Sequence, residues 1–186
     1  TFSSAASDVY KRQDYHYGKE AASEYVIGTR SGIANRSPII GKYGVNFRGS
    51  DLYSKGANIL HTLRQIARDD EKWRNILRGL NEEFYHQTVT TSQIENYISE
   101  KMEYDLSLFF DQYLRDFRIP TLLYFYDDGN LNFKWINVVD NFKMPIELFI
   151  DGDPVFVEIG TDYIKIPSIS GNFNINENYY VFSRKI

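Results

Sequence analysis

Residues 105–136 read DLSLFFDQYLRDFRIPTLLYFYDDGNLNFKWI, and the pattern of apolar side chains changes within them, near Pro120. Before Pro120 the apolar residues recur every three or four positions, as they do on one face of a helix. After it, more and less apolar residues alternate on both sides of a tight turn at Asp128-Gly129, which is typical of a β-hairpin. The segment therefore predicts a helix, a break at the proline and then a sheet.

Helical spacing also dominates the chain upstream of this segment. Residues 14–31 predict a first helix, and residues 35–50, which contain Pro38 and several glycines, predict a loop. Apolar stripes and capping residues predict four more helices: Leu52, Gly56, Ile59, Leu60, Leu63 and Ile66 behind an N-cap at Ser50; Trp73, Ile76, Leu77, Leu80 and Phe84; Ile94, Tyr97 and Ile98 behind a capping box of Thr90 and Gln93; and Leu106, Phe109, Phe110, Tyr113 and Leu114 behind Asp105.

Short strands are predicted downstream of the hairpin, at residues 146–150, 155–159, 163–166 and 179–182. About six short strands at this spacing favour a small antiparallel β-sandwich. Since the helices precede the strands, the sequence predicts an α+β fold, with a helical part over residues 14–118 and a sandwich over residues 119–186. Tyr163 and Tyr179 belong either to an interface or to the core of that sandwich.

The composition narrows the classes of function. The 186 residues carry a net charge of -4 without a basic patch, so the sequence does not favour nucleic acid as a partner. No apolar run approaches the length of about 18 residues that a transmembrane helix needs. The absence of cysteine excludes disulfides and thiolate-bound zinc.

The first residues carry no information about the fold. Residues 3–13, SSAASDVYKRQ, resemble the translation, in one reading frame, of an adaptor used in DNA sequencing. We therefore interpret residues 1–13 as an artefact and expect the native chain to enter at about Asp14, part-way through a longer reading frame. By contrast, we expect the end at Ile186 to be natural, with no further helical domain.

Several segments, in order, resemble the membrane alanyl aminopeptidase family, the zinc metallopeptidases of the gluzincin group, and in particular its bacterial branch. They are DYHYG (14–18), NRSPIIGKYG (35–44), YSKGANILHTLR (53–64), VTTSQIENYIS (89–99) and DLSLFFDQYLRDFRIP (105–120). The resemblance covers residues 14–120 well and the strands more loosely. Glu103-Tyr104 departs from the family pattern, which has a glycine before the last helix.

The resemblance implies the C-terminal part of a thermolysin-like catalytic domain, and a function in hydrolysing N-terminal peptide bonds with zinc. In the family a Tyr-x-Lys-Gly sequence opens a helix, and its tyrosine hydroxyl stabilises the oxyanion of the transition state. Tyr53 holds that position here, while spacing alone favours a tyrosine packed on its neighbours. Lys55 and Gly56 are expected to set the helix entry and to pack closely.

The zinc ligands themselves are not found in this sequence. Its histidines are His16, His61 and His86, and none lie four positions apart, so the HExxH motif is missing. His61 is expected to be structural, and the other two to lie at the surface or in packing contacts. Glu20 and Glu24 lie four apart, as a ligand pair might, but a solvated helix face is the simpler interpretation. We place the zinc and its ligands upstream of this chain.

Two other functions remain open on the sequence: a metal-free relative that serves as a binding or scaffold protein, and an unrelated helical protein with an appended sandwich. The resemblance implies a peptide as the substrate of the longer protein. Because bacterial members of the family are often exported, the resemblance favours the periplasm or the extracellular space. We also expect the chain alone to be catalytically inactive and poorly stable, because its helices would leave an apolar face uncovered.

Overall fold

A computed structural model describes residues 18–41 and 51–186. Within these ranges five helices precede seven strands, which confirms the predicted α+β fold. The helices are α1 (Lys19–Gly28), α2 (Asp51–Ala67), α3 (Asp70–Glu83), α4 (Thr91–Met102) and α5 (Ser107–Phe110), with a 3-10 turn at Thr29–Gly32 after α1 and a π-helical turn at Asp111–Arg115 after α5. The predicted N-cap at Ser50 lies outside the described residues.

Helices α3 and α4 begin at capping residues, close to where the sequence predicts them. The Asp69 carboxylate caps α3 by accepting from the backbone N–H groups of Glu71 and Lys72. Thr90 and Gln93 form the expected capping box at the start of α4, with Thr90 N donating to Gln93 Oε1 at 2.8 Å. These caps satisfy amides that a helix start leaves without intrahelical partners.

The strands form two small sheets. The strands are β1 (Thr121–Asp127), β2 (Asn130–Ile136), β3 (Met144–Ile150), β4 (Asp153–Ile159), β5 (Ile164–Pro167), β6 (Phe173–Ile175) and β7 (Phe182–Lys185). One sheet has the order β5-β2-β1-β7 and the other β4-β3-β6. The hairpin between β1 and β2 turns at Asp128 and Gly129, whose φ angles of 44° and 72° fit a tight two-residue turn.

Three details of the sheets differ from the prediction. The sandwich is not wholly antiparallel, because β7 runs parallel to β1. A strand predicted at residues 179–182 instead begins at Phe182, and Tyr179 and Tyr180 lie before it, buried in the core. The short strand β6 was not expected at all; it pairs with β3 through residues 173–175.

One continuous apolar core joins the helices and both sheets. Ile59 and Leu63 of α2, Phe109 of α5, Trp135 of β2 and Tyr179 all belong to it. The boundary between residues 118 and 119 stays a prediction.

A polar network joins α2 to the turn before β7. The Thr62 hydroxyl accepts from Tyr180 N at 3.0 Å and donates to Asn58 O at 2.9 Å, while Tyr113 donates from its hydroxyl to Tyr180 O at 2.8 Å. Arg30 donates to Asn58 Oδ1 at 2.6 Å and to Glu177 O at 2.8 Å. The backbone of Tyr180 thus obtains partners for both its polar groups inside the core, which buried backbone requires.

Asn58 is fully buried at the centre of this network. Its amide nitrogen lies 3.2 Å from Val26 O, 3.0 Å from Thr29 Oγ1 and 2.9 Å from Ser54 O. Its side chain therefore links α1 to α2, and its removal would leave several buried polar groups without partners.

We expect Asn58→Ala to lower the free energy of unfolding by about 3 kcal/mol, because each buried group left unpaired costs about 1–3 kcal/mol. Urea unfolding followed by circular dichroism would measure this change. The matched control is Asn81→Ala on α3, an exposed asparagine with one hydrogen bond to Leu77 O, which should change stability by less than about 0.5 kcal/mol. Equal effects of the two substitutions would contradict the central role of Asn58.

Candidate functional site

Tyr53 lies on the first turn of α2 with its ring open to solvent. Its side chain is 57% exposed, and no described residue hydrogen-bonds its hydroxyl. Leu52 beside it is exposed as well, although the sequence placed it on the buried stripe of this helix. The exposure leaves the hydroxyl accessible to a ligand; the catalytic role of Tyr53 stays a prediction.

The residue two positions before Tyr53 fixes the start of the helix. The Asp51 carboxylate accepts from Ala34 N at 2.9 Å and from Asn35 N at 2.7 Å. Asn35 has a φ of 47°, in the left-handed region that asparagine tolerates better than most residues. Asn35 Nδ2 also donates to the Tyr180 hydroxyl at 2.9 Å, so this loop is connected to the turn before β7 as well.

The residue two positions after Tyr53 is a buried lysine. Lys55 is 0% exposed, and its ammonium donates to the backbone oxygen of Asp116 at 3.3 Å. Burial lowers the pKa of Lys55 to about 8, while the nearby carboxylates of Asp51 and Asp116 oppose that change. The Asp116 carboxylate is itself held by Arg118 at 2.6 Å. Lys55 thus ties α2 to the connection between α5 and β1, consistent with its expected role at the helix entry.

Sequence reasoning did not identify the buried polar stripe of which Lys55 is part. Asp51, Lys55, Asn58 and Thr62 recur at intervals of four, three and four residues, so they share one side of α2 next to its apolar stripe. A polar stripe at helical spacing is normally assigned to solvent. The signal was therefore present as a periodicity, but its burial depends on contacts with distant parts of the chain.

Gly56 does not pack as expected. We predicted a close approach of another backbone at this glycine, but a Cβ added there would meet no described atom within 4 Å. Gly56 lies three positions after Tyr53, so both residues share one side of α2. Gly56 is nevertheless buried, so the described residues do not supply the close approach that was predicted at this position.

The two described histidines, His61 and His86, do not form a metal site. His61 is buried, consistent with the structural role expected of it. Its Nε2 lies 2.8 Å from Asn178 Oδ1, and burial lowers its pKa below the ordinary value. His86 is exposed after α3, with its ring 4.3 Å from that of Tyr85. His16 lies outside the described residues. Across residues 18–41 and 51–186 no group of three or more His, Cys, Asp or Glu side chains could hold a metal ion.

Glu20 and Glu24 follow the simpler interpretation, because both are exposed on α1. Asp70, the first residue of α3, forms ion pairs with two basic residues. Asp70 accepts from Arg64 at 2.7 Å, and this hydrogen bond is the main cause that lowers the pKa of Asp70. Lys19 adds a second ion pair to Asp70 at 2.9 Å, so α1 is also joined to α3.

The sequence matches no protein-family model and no curated protein. The structure is similar to part of a solved one, the crystal structure of Legionella pneumophila aminopeptidase A in complex with aspartic acid. The similarity has a TM-score of 0.59 at 16% sequence identity and covers 73% of this chain and 18% of that chain. At this identity the similarity shows the fold: five helices followed by two small sheets, as in part of an aminopeptidase.

No helix within the described ranges combines the length and apolar character needed to cross a membrane.

We expect Lys55 to make the stability of the chain depend on pH. Its pKa is about 8 in the folded state and 10.5 when unperturbed, so between these values the unfolded state binds more protons. Stability contributed by this group therefore rises as the pH increases from about 8 to 10.5 and is lost as the pH falls through 8.

Melting temperatures of the native chain and of Lys55→Met, compared across this range, measure the effect, because tyrosine titration is common to both proteins. The melting temperature of the native chain should rise relative to that of the variant as the pH increases. A constant difference between the two curves would show that Lys55 has an ordinary pKa.

Proposed function

We propose that this chain is the C-terminal part of a zinc-dependent aminopeptidase that hydrolyses N-terminal peptide bonds, with Tyr53 as an oxyanion donor. The observation that supports it most is the coincidence of two independent features. The family-like segments occur in order over residues 14–120, and the chain adopts the fold of part of a solved aminopeptidase.

The position of Tyr53 suits the proposed role. As a nucleophile adds to the carbonyl carbon of a peptide bond, the carbonyl oxygen becomes negatively charged, and a phenol O–H can donate a hydrogen bond to it. Such a donor must be both accessible and fixed. The ring of Tyr53 is exposed, whereas Asp51 and Lys55 on either side are bonded to other parts of the chain.

The described residues of this chain do not fit a zinc site. His61 is engaged with Asn178 in the core and His86 lies at the surface, so neither fits a metal site with a neighbouring carboxylate. The proposal therefore assigns zinc and the recognition of the peptide's amino group to an upstream part of a longer protein. Only the hydrogen bond from Tyr53 is assigned to this chain.

The coding sequence upstream of Asp14 provides the first test. An HExxH motif followed by a further glutamate, in the same reading frame, supports the proposal. A peptidase-like region without those ligands would instead indicate a metal-free relative that binds partners. An unrelated upstream sequence would remove the proposed function altogether.

In the longer, zinc-loaded protein we expect Tyr53→Phe to lower kcat about 100- to 1,000-fold, since one oxyanion donor contributes about 2.7–4 kcal/mol to lowering the barrier. KM should change little, because the hydrogen bond strengthens in the transition state rather than in the bound substrate. Steady-state hydrolysis of an aminoacyl-anilide would measure both constants.

The matched control is Tyr85→Phe, which removes the hydroxyl of another exposed tyrosine, located just after α3. This variant should hydrolyse the anilide at the native rate. If Tyr53→Phe were equally active, Tyr53 would not be the oxyanion donor.

A further inference from the structure

Among the described residues, the polar contacts of the first turns of α2 lie on one side of the helix. Asp51, Lys55 and Asn58 recur at helical spacing, and each bonds a different part of the chain: residues 34–35, Asp116 O and α1. Side chains two positions apart on a helix do not face each other, so Tyr53 points away from both Asp51 and Lys55. The position of the tyrosine ring therefore depends on contacts made by the opposite side of the helix.

Lys55 provides the contact between this helix turn and the segment after α5. Asp51 and Asn58 connect α2 to α1 and to the loop after it, all N-terminal to α2. Lys55 reaches in the other direction, to a backbone oxygen 61 residues later. Asp116 is in turn constrained by a charge-assisted pair with Arg118 and precedes β1. Among the described contacts of the first turn, this one connects α2 to the segment that leads into β1.

We propose that Lys55 is the positioning residue for Tyr53: by bonding the Asp116 carbonyl, its ammonium fixes the first turn of α2 so that the tyrosine hydroxyl reaches the oxyanion. This inference rests on the proposed function. A buried ammonium is costly to desolvate, and an apolar side chain of similar length would avoid that cost. A residue that only stabilised the fold would therefore be better as methionine, whereas one that aligns a donor needs the directional hydrogen bond.

The test is a double-mutant cycle in the longer, zinc-loaded protein. We expect Lys55→Met to lower kcat roughly 10-fold with KM unchanged, because displacing a donor by about 1 Å weakens an interaction made in the transition state. In the Tyr53→Phe background, Lys55→Met should change kcat by less than about 2-fold, since the donor it positions is already gone. Lys55→Arg, which keeps a charged donor for the carbonyl, should recover most of kcat.

The control is Thr62→Val, which removes another buried hydrogen bond of α2 on the same side of the helix. It should lower the melting temperature yet change kcat by the same factor whether residue 53 is tyrosine or phenylalanine. If Lys55→Met fails to fold, Lys55→Leu, which also removes the donor, replaces it in the cycle.

The possible failures can be told apart. Full activity of Tyr53→Phe would overturn the role of Tyr53 and this inference with it. A strong effect of Tyr53→Phe, with a Lys55→Met effect that is absent or equal in both backgrounds, would overturn only the positioning role. The positioning role would also be overturned if a fall in melting temperature accounted for all the activity that Lys55→Met loses.

Discussion

The docking of the turn before β7 onto α2 is the constraint on which the rest of the fold depends. Tyr180 places both its backbone polar groups in the core, where Thr62 and Tyr113 satisfy them. Two unpaired groups at such a depth would cost a large part of the stability of a domain of this size. The docking also returns the chain to Pro120, whose carbonyl accepts from Phe182 N at 2.9 Å, and so starts β7 parallel to β1.

Helix α2 carries the polar groups that link it to other segments. It also carries Tyr53, the residue proposed to act on substrate. Polar side chains of α2 meet α1, the loop after α1, the connection after α5 and the turn before β7. In a buried network, the hydrogen bonds strengthen one another when every polar group has a partner. Such a network also favours one compact arrangement of the chain over others. The backbone at Tyr53 lies between two bonded residues, Asp51 and Lys55, while its ring is exposed.

The sequence predicted what depends on neighbouring residues. Caps and apolar periodicity located α3 and α4, and Asp128-Gly129 located the first hairpin, because these signals act over a few positions. The prediction was wrong where contacts between distant residues determine the local structure. Tyr179 and Tyr180 have the composition of a strand, but burial against the helices holds them in a turn. Strand β6 lies among asparagines that disfavour strands and forms only against β3.

The same distinction applies to the candidate site: local patterns could be read from the sequence, but contacts between distant residues could not. Tyr53 could be singled out only through a resemblance to a family, because its own spacing is that of any surface tyrosine. The burial of Lys55 could not be predicted, since Asp116 is 61 residues away and lysine is among the residues least often buried. The exposure of Leu52 was missed for a related reason: periodicity marks a stripe on a helix, but it does not show how far along the helix the neighbours extend.

The bond between Thr62 and Tyr180 joins groups 118 residues apart, and this separation dictates when the helices can become native. Helices α3 and α4 contact each other locally, so they close early, whereas α2 waits for a contact of high contact order. At about 5–20 residues per second, a ribosome needs roughly 6 to 24 s to make the intervening residues. Throughout that interval the Thr62 hydroxyl lacks the backbone N–H of Tyr180 as a partner. The turn that completes the docking of α2 is therefore made only after the 118 residues that separate it from Thr62.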